Sequence, residues 1–122
     1  MARPLAILPA SASGGISTFA FDTTDMIVDI NGYFAPDDGV NGLYYYPARQ
    51  CRVSDSTFEN ETRRTISISQ SACSVPATAR AYALNATVVP NGSPMPFLSV
   101  WPTGQSQPNA SVINAFEGQT VS

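Results

Sequence analysis

Apolar and polar residues alternate along much of this chain. In the run 82–88 every second residue is apolar and faces one side, while Ala83, Asn85 and Thr87 face the other. Ile66 and Ile68 alternate with serines in the same way. A period of two residues predicts half-buried β-strands.

Other apolar runs predict seven further strands, and helical periodicity is nearly absent. These strands are Leu5–Leu8, Ile16–Phe21, Met26–Ile30, Leu43–Tyr46, Cys51–Val53, Phe97–Trp101 and Ser111–Phe116. Turn-forming residues separate them at Ser13–Gly15, Asn31-Gly32, Pro36–Gly39, Asn41-Gly42, Pro90–Pro94 and Pro102–Gly104. The stretch Ser54–Arg64 has no apolar period and is predicted to be a long exposed loop. The pattern predicts an all-β fold, an antiparallel β-sandwich or barrel of about 8–10 short strands.

The 122 residues of 12.9 kDa fit a single β domain, residues 1–122. A stretch rich in Pro, Gly and Asp, residues 35–42, resembles a linker between completing strands in 1–34 and a main part in 43–122. A segment of about three strands cannot bury a core alone. The two parts must therefore share one core, within one chain or by strand exchange in a homo-oligomer. Of these two arrangements we favour the oligomer.

The composition excludes several functions. Charged residues make up 12 % of the chain, which has no Lys, no His and a net charge of −3. A nucleic-acid binder needs a basic surface, and a Ser-His-Asp enzyme needs an imidazole. No apolar run approaches the ~20 residues of a membrane span. Pro4 and Pro9 interrupt the N-terminal apolar patch, so Leu5–Leu8 is interpreted as a strand rather than as part of a signal peptide.

The two cysteines, Cys51 and Cys73, form either a disulfide or two buried thiols. The chain is rich in Ser, Thr and Asn, a composition typical of extracellular proteins, and this favours the disulfide. Closing a loop of this length stabilises a fold by roughly 3 kcal/mol in the chain-entropy model. We therefore expect an extracellular or cell-surface location.

Acidic residues suggest two kinds of chemistry. A cluster of oxygen donors is a weak candidate for a Ca²⁺ site, the only cofactor considered, although Asp also caps turns. Its members are Asp22, Asp25, Asp29, Asn31 and Asp37. Glycoside hydrolysis needs two carboxylates ~5–10 Å apart. The weak candidate pairs are Asp25 with Asp29, which share a strand face at ~13 Å, and Glu59 with Glu61 in the predicted loop. We therefore assign no catalytic residue and expect no enzyme; an enzyme of this composition would be a carboxylate-dependent hydrolase.

Aromatic residues form the third candidate site. Tyr44, Tyr45 and Tyr46 are consecutive, so at least one must face outward from a strand. With Tyr33 and Trp101 they would form a platform for a glycan or a surface protein. The alternative is that the aromatic rings line the core, with Trp101 packed inward. Arg52 is expected to form a structural ion pair with Asp29 or Asp55.

Several spaced motifs resemble those of a β-rich repeat module from large secreted or surface proteins of soil bacteria. That family carries the patterns VDVxGYF, PCRVxDTR, CGVPxxAxAxxLNxTVV and LTVWPxG. The matching segments here are Asp25–Phe34, Tyr46-Pro47, Cys51–Asp55, Cys73–Ala77, Ala83–Val88, Leu98–Gly104 and Asn114–Phe116. The resemblance implies an extracellular module with its cysteines bridged and without assigned catalytic residues. The family's Asp-Thr-Arg reads Asp55-Ser56-Thr57 here, so any role of that Arg is in doubt.

The order of the motifs implies a circular permutation. In the family VDVxGYF closes one module and PCRVxDTR opens the next, so this chain resembles one period read out of register. If the chain closes on itself, Leu5–Leu8 should continue the strand that Ser122 leaves. The expected function is a non-catalytic structural or adhesive module. The alternative is a carbohydrate-active protein, either a sugar-binding module or a glycoside hydrolase.

Overall fold

A computed structural model describes residues 5–36, 43–59 and 62–122 of the chain, which form eight β-strands. The strands are β1 (Leu5–Pro9), β2 (Gly15–Ala20), β3 (Thr24–Pro36), β4 (Leu43–Phe58), β5 (Thr62–Ser67), β6 (Ala81–Pro90), β7 (Met95–Pro102) and β8 (Ile113–Ala115). The predicted all-β class is confirmed.

Two antiparallel four-stranded sheets pack face to face. The first sheet has the order β1-β6-β3-β4, and the second has the order β5-β2-β7-β8. Of the two predicted architectures the structure has the sandwich, since the sheets do not close into a barrel. The chain crosses between the sheets in the connections that follow β1, β2, β4, β5 and β6.

Alternating residues of both sheets form one hydrophobic core. The predicted inward positions of β5 and β6 are all buried, including Ile66, Leu84 and Val88. Residues from before and after the predicted linker lie in the same cluster, for example Ile16 and Leu98. Residues 5–36 thus pack against their own chain. Burial of this apolar surface is the main force that holds the two sheets together.

The turn predicted at Asn31-Gly32 is wrong, because the long strand β3 runs through this dipeptide. β3 continues through this dipeptide as a β-bulge, and its register shifts against both β4 and β6 between Ile30 and Gly32. The ring of Tyr45 lies against Gly32, where a Cβ atom would come within 2.5 Å of the ring. Glycine lets the Tyr45 ring pack over the backbone here, in a bulge rather than in a turn.

The prediction of an exposed loop at Ser54–Arg64 is also wrong. Residues 54–58 continue β4, so the two short predicted strands at 43–46 and 51–53 are one strand, and β5 begins at Thr62. The segment lacks an apolar period because β4 is the edge strand of its sheet and mostly exposed, with only its last residue, Phe58, buried. The guanidinium of Arg64 lies 4.9 Å from the centre of the Phe58 ring.

Other boundaries differ by smaller amounts. Of the predicted linker 35–42, residues Ala35 and Pro36 belong to β3, and residues 37–42 lie outside the described part of the chain, together with the turns predicted there. The strand predicted at 111–116 shortens to Ile113–Ala115, and the strand predicted at 65–69 shifts to Thr62–Ser67.

The two ends of the described chain lie beside the same strand. β1 pairs with β6 from Leu5 opposite Asn85 to Pro9 opposite Ala81. Val121 pairs with Val88 through two hydrogen bonds of 2.9 and 3.1 Å, three residues further along β6. Because β3 occupies the other side of β6 at Val88, Val121 and β1 share one edge and run in the same direction. The circular permutation itself stays a prediction, because it rests on the resemblance.

Cys51 of β4 and Cys73 form a disulfide with their Cα atoms 5.6 Å apart. The bond ties the edge strand of the first sheet to the connection between β5 and β6. Within the ranges that the structure describes, no helix is long and apolar enough to span a lipid bilayer.

Candidate functional site

The outer face of the first sheet carries a network of charged and polar side chains. Arg52 contacts two carboxylates, with its Nε 3.4 Å from Asp29 Oδ1 and its Nη1 2.9 Å from Asp55 Oδ2. These hydrogen bonds, first to Asp29 and then to Asp55, raise the pKa of the exposed Arg52 guanidinium. The register places Thr57 opposite Asp25, and the Thr57 hydroxyl donates a hydrogen bond to that carboxylate.

The predicted acidic residues have different hydrogen-bond partners in the structure. Asp25 and Asp29 face the same side of β3, as predicted, but Thr57 and Arg52 hold them separately. Asp22 accepts a 2.7 Å hydrogen bond from the backbone N–H of Thr23, in the bend between β2 and β3. Asn31 lies in the bulge of β3. Thr57 also occupies the position of the Arg in the resembled motif, so that position faces a carboxylate.

Part of the predicted acidic set cannot be placed. Asp37 and Glu61 lie outside the described residues, while Glu59 is exposed after β4. Among the residues that the structure describes, no group of three or more His, Cys, Asp or Glu side chains is arranged to hold a metal ion. The calcium site and the carboxylate pairs stay predictions.

The predicted tyrosine platform is divided between two faces of the first sheet. Tyr46 stacks on Tyr33 across β3 and β4, with ring centres 5.3 Å apart. Tyr45 faces the opposite side, where its ring packs 5.3 Å from that of Phe34 and its hydroxyl donates to the carbonyl of Asn31 at 3.2 Å. By alternation Tyr44 shares the face of Tyr46.

Trp101 does not join these tyrosines. It belongs to β7 in the second sheet, opposite Ser17, and it is only 3 % exposed. It is buried, as the alternative interpretation held, but on the outer face of its sheet, because Val100 takes the position between the two sheets. The Arg63 guanidinium lies 5.4 Å from the ring centre, and Nε1 donates to the Gln105 carbonyl at 3.0 Å.

Sequence reasoning missed a row of phenylalanines on this outer face. The Phe97 ring lies between those of Phe19 and Phe21, with ring centres 5.7 and 5.5 Å apart. Phe21 is 38 % exposed. The alternation of β2 contains the signal, since Ile16, Thr18 and Ala20 face inward and leave the phenylalanines outside. The sequence alone does not show which of two apolar sets faces the core.

Beside Phe97 lies an open groove of about 320 Å³. The connection between β7 and β8 forms its other wall, with Gln107, Asn109 and Ser111. Small-molecule sites in proteins occupy about 300–1,000 Å³. The groove is therefore large enough for a small ligand, and it combines an aromatic ring with neutral hydrogen-bonding groups.

Comparison of the chain with protein-family models, with curated proteins and with solved structures found no match. The resemblance to the bacterial repeat module therefore stays an expectation, which rests on the spaced motifs themselves.

Proposed function

We propose that this protein is a non-catalytic structural and adhesive β module of a bacterial surface or secreted protein. Its contact surface would be the tyrosine end, which comprises Leu43, Tyr44, Tyr45 and Tyr46 of β4 with Tyr33 and Phe34 of β3. Its partner would be the tyrosine end of another copy of the module.

The exposure of the tyrosine end carries this proposal. Four successive large apolar side chains are 47, 59, 47 and 40 % exposed in the run 43–46. They belong to a regular strand, and β3 fixes their direction. Rings that are already ordered lose little conformational entropy when another surface covers them, and tyrosine is enriched in protein interfaces. A cluster of this kind favours association over a freely solvated surface.

The chemistry of this end favours contact through ring faces. β4 is an edge strand, and exposed edges can pair with a further strand. Pro47 has no N–H group, so an added strand would lose a hydrogen bond at the tyrosine end itself. The low charge of the chain, −3 over 122 residues, leaves little repulsion between copies.

The disulfide supports a location outside the cytoplasm, since such bonds persist in oxidising compartments. Together with the resemblance to secreted repeat modules, it supports the surface or secreted context of the proposal.

Sedimentation velocity over a range of protein concentrations tests the contact. We expect the natural protein to self-associate and the double variant Tyr44→Ser/Tyr46→Ser to remain monomeric. Phe116→Ser is the matched control, because Phe116 is 67 % exposed but lies after β8 in the other sheet; it should associate like the natural protein. A natural protein that stays monomeric at every concentration would refute the contact.

The same measurement separates ring contact from strand exchange. If residues 5–36 exchanged between chains, the dimer would survive both tyrosine substitutions, because its contacts are those of the core. Such a dimer would dissociate only on unfolding. A double variant that remains dimeric therefore rejects the tyrosine end as the contact surface.

A further inference from the structure

The groove beside Phe97 is a built feature of the second sheet. Three contacts hold the connection that forms its outer wall. The Ser99 hydroxyl donates to the Ala110 carbonyl at 2.6 Å, the Val112 amide donates to the Leu98 carbonyl at 2.8 Å, and Trp101 donates to Gln105. A wall held in this way costs little further ordering when a ligand binds.

The polar groups of the groove are neutral amides and hydroxyls. Gln107 Oε1 accepts a hydrogen bond from Arg63 at 3.3 Å, which orients its amide and leaves the NH₂ group available. The Asn109 side chain makes no hydrogen bond within the described part of the chain and is exposed. Asn114 Oδ1 pairs with the Ser111 hydroxyl at 3.1 Å. None of the described side chains that line the groove carries a charge.

The apolar part of the groove is the Phe97 ring, which the neighbouring rings of Phe19 and Phe21 contact at 5.7 and 5.5 Å between centres. A sugar ring has an apolar face of C–H groups and a rim of hydroxyls. An aromatic ring covers the first, and planar amides that both donate and accept hydrogen bonds satisfy the second. Open grooves on the face of a sandwich also admit a chain that continues at both ends.

We infer that this groove binds a neutral oligosaccharide chain, with one sugar face packed on Phe97 and its hydroxyls bonded to the Gln107 and Asn109 amides. The absence of lining charge among the described residues argues against an acidic glycan, because a uronate brought here would lose water without gaining a cation. Arg63 is directed to Trp101 and Gln107. This inference does not depend on self-association through the tyrosine end.

Amide NMR titration of the full chain tests the inference. The probes are four neutral hexasaccharides, built from β-1,4-glucose, α-1,4-glucose, β-1,4-xylose and β-1,4-N-acetylglucosamine, and hexagalacturonate as the acidic counterpart. The protein is produced in a host without N-glycosylation, because Asn109-Ala110-Ser111 is a sequon inside the groove. We expect at least one neutral probe to shift amide signals of residues 97–99 and 107–114.

Variants assign the binding to the groove. Phe97→Ala and Asn109→Ala should each weaken binding about tenfold or more, which corresponds to ~1.4 kcal/mol. Asn91→Ala is the matched control for Asn109→Ala, since both residues are exposed asparagines in connections. It should bind like the natural protein. Asn109→Ala removes only an exposed amide, so it remains informative even if Phe97→Ala disturbs the fold.

Three results would each overturn the inference: no groove signal shifts with any neutral probe, hexagalacturonate binds at least as tightly, or both groove variants bind like the natural protein. Tyr44→Ser should leave sugar binding intact, and Asn109→Ala should leave self-association intact. The failure of one proposal is therefore distinguishable from the failure of the other.

Discussion

The two outer faces of the sandwich are built on the same alternation but present different chemistry. On the first sheet, Arg52 bonds Asp29 and Asp55, while Thr57 bonds Asp25. On the second sheet the outward residues include the aromatic Phe19, Phe97 and Trp101, and the connection between β7 and β8 lies beside Phe97. On the first sheet the charged and polar groups bond each other, whereas on the second sheet neutral amides lie beside the partly buried ring of Phe97.

This difference affects which of the two faces can bind a ligand. A carboxylate that already accepts hydrogen bonds from a guanidinium has less to offer a ligand. The exposed amide of Asn109, which has no hydrogen-bond partner among the described residues, gives up only hydrogen bonds to water when a ligand binds. The second outer face is therefore the better candidate for ligand binding, and the following changes test the contrast.

The largest expected effect is at Trp101, which anchors the second outer face. Trp101→Ala should lower the free energy of unfolding by about 3–5 kcal/mol, because the buried ring and its bond to Gln105 are lost. Urea denaturation followed by circular dichroism measures the change. Phe116→Ala, at an exposed aromatic residue, should stay within about 0.5 kcal/mol. Equal effects for the two variants would contradict the buried position of Trp101.

Removal of the disulfide should weaken the first sheet. The double variant Cys51→Ala/Cys73→Ala is expected to lose about 3 kcal/mol, because the unfolded chain regains the freedom of the closed loop. Urea denaturation gives the loss, and hydrogen exchange should show the faster opening in β4 rather than in β7. Reduction of the natural protein, checked by the mass gained on alkylation, should give a similar loss. An unchanged midpoint after complete reduction would refute this stabilising role.

Tyr82 links the core of the first sheet to the turn at Gly14. Its hydroxyl donates a hydrogen bond to the Gly14 carbonyl at 3.0 Å. Tyr82→Phe should cost about 0.5–1.5 kcal/mol at neutral pH. Burial raises the pKa of Tyr82, so the folded state holds this proton more tightly than the unfolded chain does. The resulting stability is present below pH ~10 and is lost as the pH rises through the folded pKa.

Urea midpoints measured between neutral and strongly alkaline pH test the direction of this shift. Tyr82→Phe should lose less stability with rising pH than the natural protein does. Phe116→Ala, at an exposed aromatic residue with no titrating group, is the control and should keep the natural slope. Parallel slopes for the natural protein and Tyr82→Phe would show that this hydroxyl does not govern the alkaline loss.

The smallest expected effect concerns the departure from the resembled motif. Thr57→Arg should form an ion pair with Asp25 and change the stability by no more than about 1 kcal/mol, because the pair is exposed. A double-mutant cycle with Asp25→Asn isolates the coupling, which should shrink at high salt. A coupling of zero at low salt would mean that the two side chains do not meet.

Local patterns were enough to predict the class of fold and most of its strands. The alternation in β5 and β6 identifies the buried residues correctly, since a period of two is a property of the strand itself. Edge strands and bulges were not predictable in the same way. β4 has no apolar period because this edge strand meets the core at only a few positions. The dipeptide Asn31-Gly32 is compatible with both a turn and a bulge, so its residues alone do not distinguish the two.

The candidate site was harder to predict than the fold, because it depends on which strands become neighbours. The sequence contains Arg52, Asp29 and Asp55, but only the register of β3 against β4 brings both carboxylates to one guanidinium. The groove likewise needs a connection folded back over β7.

The sequence by itself determined the β class, the turns that follow β1, β6 and β7, and the alternation that fills the core. The tertiary structure decided which apolar set of β2 faces inward, where Trp101 lies and which residues share the edge beside β6. The alternation of side chains follows from the backbone of a single strand. Which side of that strand faces the core, and which strands pair with it, depends on contacts between residues far apart in the chain.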